Sequence, residues 1–130
     1  MKAMRLLILA NYLETLPDER FFMGSWFNDC GTTACAMGHA TNIPQFRDLG
    51  LTTVKCSLTV DTAIPVFDGR RGFQAAMAFF DINYDDAIHL FGGHPNGRWY
   101  RKPLHMLQPS DVAKGIKLYV ALKTQQEACT

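Results

Sequence analysis

Phe73-Gln74-Ala75-Ala76-Met77-Ala78-Phe79-Phe80-Asp81-Ile82-Asn83-Tyr84-Asp85-Asp86-Ala87-Ile88-His89-Leu90-Phe91 is the stretch that decides the fold class. Phe73, Met77 and Phe80 stand at i, i+4 and i+7, which gives one apolar face with the period of an α-helix. Asp81-Ile82-Asn83 breaks that period, and Asn83 with Asp86 three residues on has the form of a capped helix start. The second helix then runs through Phe91 and stops at Gly92-Gly93. Two short helices joined by a tight turn have the outline of a helix-turn-helix. A DNA-reading helix presents base-reading and phosphate-binding groups, whereas this one offers Asp85 and Asp86. Ordinary helix pairing is the better account.

Towards the amino end, Leu6, Leu9, Leu13 and Leu16 recur at helical spacing, which predicts a helix over about residues 2 to 16 that stops before Pro17. Residues 17 to 29 read as a loop, and Phe21, Phe22, Trp26 and Phe27 make it a packed one. Thr32 or Thr33 caps a further helix reaching about Thr41, closed by Asn42 and Pro44. Its Ala36, Gly38 and Ala40 are small enough to let a neighbouring backbone approach, so this helix is expected to be buried. Between Leu51 and Phe67 the β-branched density rises, predicting two short strands, the second confined to a sheet edge by Pro65. Asp68-Gly69-Arg70-Arg71-Gly72 reads first as a turn, and as a second basic contact only if the fold brings it alongside the Arg98 to Lys102 loop. After a loop from His94 to Gln108, Pro109 and Asp111 open a last helix, with Val112, Ile116, Tyr119 and Leu122 on its inner side. The fold class is therefore mainly α within α+β: four to five short helices around one core, with a minor β-hairpin near residues 51–67.

A chain of 130 residues with 48% hydrophobic and 19% charged side chains fits one domain spanning 1–130 that fills its core without disulfides or metals. The net charge of +1 argues against a polyanion mimic and against a field-driven nucleic-acid binder. Leu6 to Ala10 after Lys2 and Arg5 imitates the start of a secretory signal, but Asn11 and Glu14 cut the apolar run short and no small-x-small site follows. With no run near the roughly 20 apolar residues of a membrane span, the expected location is cytoplasmic and the four cysteines are expected as thiols.

Cys30-Gly31-Thr32-Thr33-Ala34-Cys35-Ala36-Met37-Gly38-His39 stands apart from this ordinary packing vocabulary. Taken with Leu6 to Leu13, Met23-Gly24-Ser25-Trp26, Phe79-Phe80, Leu90-Phe91 and Pro109-Ser110-Asp111-Val112-Ala113, it resembles a group of small uncharacterised bacterial and phage proteins with a Cys-Gly-Thr-x-x-Cys-Ala-x-Gly element. Those matches span most of the chain. Position 39 departs from the pattern, being His where the group more often has an aromatic residue. The resemblance implies the fold and an association with phages or mobile elements; it implies no particular activity.

Two chemical readings attach to the cysteines. Cys30, Cys35, His39 and Cys56 number the four ligands of a zinc site, and Cys35 and His39 would share a helix face, but the spacing matches no standard finger or ribbon. Cys30 just before a helix start has the setting of an activated thiolate, with His39, His89, His94 and His105 as candidate bases. Burial as structural thiols is favoured over both, because free cysteine is among the most buried residue types. No phosphate loop, carboxylate pair or recognised metal motif points to an enzyme or a cofactor.

Gly97-Arg98-Trp99-Tyr100-Arg101-Lys102 sets three cations around two aromatics in a segment flanked by Pro95 and Pro103. Trp, Tyr and Arg are the usual anchors of protein interfaces, and the same residues can stack bases and neutralise phosphates. The plain alternative is a loop whose aromatics plug the core while its cations stay in water. The leading expectation is a non-enzymatic cytoplasmic binding protein, an accessory factor of a phage or mobile element that modulates a host protein through Arg98, Trp99, Tyr100, Arg101 and Lys102. The alternatives are a thiol- or zinc-dependent protein built on Cys30 and Cys35, and a nucleic-acid-binding protein using the same loop.

Overall fold

The structure, a computed structural model, describes residues 1–17, 36–55, 63–91 and 108–128. Within them lie six helices and three strands: α1 (Ala3–Glu14), α2 (Ala36–Ala40), α3 (Pro44–Asp48), β1 (Thr52–Lys55), β2 (Ala63–Phe67), β3 (Arg70–Arg71), α4 (Phe73–Phe80), α5 (Tyr84–Leu90) and α6 (Pro109–Ala128). The protein is mainly helical with a small antiparallel sheet, as its periodicity predicts. Helix α1 buries Leu6, Leu9, Ala10 and Leu13 and packs along α6, which itself buries Val112, Ala113, Ile116, Tyr119 and Val120. Every described residue of α2 is buried, including its three small ones, so its apolar contacts offset a helix propensity that glycine lowers.

The aromatic centre of the core is Phe46, Phe79, Phe80 and Phe91. Phe46 meets Phe79 edge-on at 4.7 Å, and Phe80 stacks on Phe91 at 5.5 Å with an interplanar angle of 23°. On α4 the fully buried residues are Ala75, Ala76, Phe79 and Phe80, while Phe73 and Met77 are half-buried. Of the Phe73–Met77–Phe80 line that the spacing suggests, Phe80 is fully buried and Phe73 and Met77 pack against the core from its margin, so the inner face is centred on Phe79 and Phe80. The predicted cap is present: Asn83 Oδ1 accepts the Asp86 amide at 2.7 Å and starts α5. Asp81, left-handed with φ 54°, ends α4.

Three sequence expectations are corrected. Pro44 does not merely close α2; it opens α3 at its first helical position, where a proline without an N–H costs nothing. This extra helix brings the described number to six, above the four to five expected. Pro65 is not on an edge strand, because the sheet order is β1-β2-β3 and β2 is central. The sheet tolerates it for a local reason. Pro65 carbonyl accepts the Gly72 amide at 2.9 Å, so its nitrogen also points towards β3, leaving the β1 ladder whole. The reciprocal bond that proline cannot donate would go to the Gly72 carbonyl, which instead accepts the Ala76 amide of α4 at 3.2 Å. Leu122, expected inside, is 39% exposed because α6 continues past the last core contact at Val120.

Asp68 and Gly69 form the two-residue turn between β2 and β3, with φ of 53° and 76°. Positive φ at both central residues is the type I′ hairpin turn, which Asp-Gly adopts at little cost because glycine has no Cβ to clash.

Candidate functional site

Asp86 sits in the first turn of α5 and is 3% exposed. Its Oδ2 accepts the Tyr119 hydroxyl of α6 at 2.7 Å, and Lys123 Nζ lies 3.5 Å from the same oxygen. Lys123 also stands over the Tyr119 ring, 5.8 Å from its centroid, as residues four apart on a helix can. Burial first, then the bond to Asp86 and the negative charges of Asp86 and Glu127, hold the Tyr119 hydroxyl well above the usual tyrosine range. The phenol therefore stays protonated and donates. Chemically the group is a clamp between α5 and α6. Sequence reading missed it, although Tyr119 and Lys123 at i, i+4 were visible; the partner Asp86 is 33 positions from Tyr119, and only folding pairs them.

A second feature lies between the β2–β3 hairpin and α4. An open depression of about 390 Å³ has Phe67, Met77 and Ile82 as its apolar floor and Asp68, Arg70 and Gln74 around it. Arg70 Nη1 donates to Asp68 Oδ2 at 3.0 Å across the hairpin turn, both side chains remaining more than half exposed. Arg71 next to it is exposed as well.

Of the sequence-predicted site residues, Arg98, Trp99, Tyr100, Arg101 and Lys102 lie outside the described residues, as do Cys30, Cys35, Cys56, His94 and His105. His39 is placed: it is buried on α2 at 3% exposure, its ring 6.3 Å from that of Tyr12. His89 lies on α5 with its Nε2 3.6 Å from Asp85 Oδ1. Among the described residues no three His, Cys, Asp or Glu side chains gather as a metal cage would require. The structure describes the chain on either side of the connection that contains Arg98–Lys102. The chain leaves α5 at Phe91, 1% exposed, and re-enters α6 at Pro109, also buried, with the Gln108 amide donating to Asp111 Oδ2 at 3.0 Å. Among the described residues no helix is long and apolar enough to cross a membrane. Comparison with family models, curated proteins and solved structures finds no match to this chain.

Proposed function

We propose that this chain is a non-enzymatic, cytoplasmic binding protein that engages a protein partner through Arg98, Trp99, Tyr100, Arg101 and Lys102. The observation that carries the reading is the anchorage of that segment. The connection that contains it runs between the two helices that the Asp86–Tyr119 bond ties together, and the described residues flanking that connection include buried Phe91 and Pro109. A connection between fixed helix ends can present side chains without moving the core, and connections on rigid scaffolds are where binding residues concentrate. Its composition supplies aromatic anchors and guanidinium groups, which dominate association energies. A role as a phage or mobile-element factor that modulates a host protein rests on the resemblance of the Cys30 to Gly38 element.

The test is site-specific cross-linking in cells, with a photoreactive phenylalanine analogue in place of Tyr100. The expected product is a discrete, nuclease-resistant protein adduct that the same analogue at exposed Gln45 does not form. A nuclease-sensitive adduct would move the reading to nucleic acid, and the absence of any adduct specific to Tyr100 would remove the segment from function.

A further inference from the structure

We propose that the β2–β3 hairpin and the outer flank of α4 form a second docking site, for an extended peptide in which apolar and acidic residues alternate. The site is independent of the Arg98–Lys102 segment. Among the described residues β3 is the outer strand of the sheet. The Gly72-to-Pro65 bond makes those two residues a hydrogen-bonded pair, so Val66 and Arg71, one step along, are a non-hydrogen-bonded pair. The N–H and C=O of Arg71 therefore turn away from β2 and face the free edge. An extended peptide laid along β3 finds a donor and an acceptor there, the backbone half of strand addition.

Side-chain alternation supplies the other half. Phe67 and Arg70 are cross-strand partners and share one face of the hairpin, while Val66 and Arg71 share the opposite face. A residue of the added strand that points to the first face lies beside Arg70, whose charge Asp68 holds, and over the depression floored by Phe67, Met77 and Ile82. Its neighbour points to the second face, beside the exposed Arg71. Apolar groups suit the first position and a carboxylate suits the second. The charge pattern selects against a polyanion, because the Asp68 carboxylate sits at the rim of the depression and holds Arg70. A phosphate backbone also carries nothing apolar to cover the floor. β3 has only two residues, so the peptide's side chains carry most of the recognition.

The probe is a short, capped, fluorescein-labelled peptide of alternating leucine and glutamate, titrated with the full chain by fluorescence anisotropy; a leucine–lysine peptide and a single-stranded oligonucleotide are the comparisons. Saturable binding of the leucine–glutamate peptide is expected, about tenfold or more tighter than the leucine–lysine peptide. Arg71→Glu and Gln74→Glu, both at exposed positions, should each weaken it about tenfold with an unchanged thermal midpoint. Trp99→Ala should leave it unchanged, which separates this site from the Arg98–Lys102 surface. No saturable binding, equal binding of both peptides, or affinity unmoved by the two hairpin variants would overturn the proposal. So would oligonucleotide binding that Arg71→Glu abolishes while the peptide fails to bind.

Discussion

A carboxylate as buried as that of Asp86 loses several kcal/mol of hydration, and the loss is tolerable only while its oxygens are bonded. Tyr119 O–H and Lys123 supply those partners from α6. Tyr119→Phe keeps the ring and its packing but removes the donor, so we expect a loss of about 1–3 kcal/mol by urea denaturation. The same bond sets a pH dependence. The folded state holds the Tyr119 proton above the ordinary value of 10.0, whereas the unfolded chain releases it near that value. The unfolded state thus binds fewer protons above pH 10, and stability contributed by the phenol, complete below about 10, falls as pH rises past it. Comparing unfolding free energies at neutral and alkaline pH, wild type should show a steeper decline than Tyr119→Phe. Equal slopes would mean that the phenol is not held neutral by its surroundings.

Single elements behave according to how local their signals are. Asn83 with Asp86, and Pro109 with Asp111, are contained within four residues each, so both helix starts were legible before folding was considered. Asn83→Ala should cost about 0.5–2 kcal/mol, read from thermal or urea unfolding, because the Asp86 amide loses its acceptor. Phe80→Ala should cost about 3–5 kcal/mol in the same measurement, since the ring is fully buried among Phe46, Phe79 and Phe91. The corrected elements depended on more than local signals. Pro44 can end one helix or begin the next, and its neighbours do not distinguish the two. The missing donor of a proline points to an edge strand for Pro65, but which flank of β2 lacks the donor is set by the pairing with β3 and by Ala76 of α4. Leu122 continued the apolar period of α6 beyond the end of the core, which periodicity does not mark.

At the scale of the whole molecule, α5 and α6 share one hydrophobic core among the described residues, and the Asp86–Tyr119 clamp joins them across 33 positions of sequence. The fold class was legible because amphipathic spacing reports burial directly. The clamp and the hairpin depression were not, since each joins side chains from different elements and has no spacing of its own. Arg98–Lys102 stands out by composition, and the structure adds that the chain on either side of the connection containing it is buried at Phe91 and Pro109. The central claim is that this segment serves association and not core packing. Trp99→Ala measured for both thermal midpoint and partner capture from native lysate tests it most directly. The account predicts loss of a specific protein partner with the midpoint nearly unchanged, and capture by the wild type that salt weakens only modestly. A large drop in the midpoint with every captured protein retained would contradict it and assign Trp99 to the core.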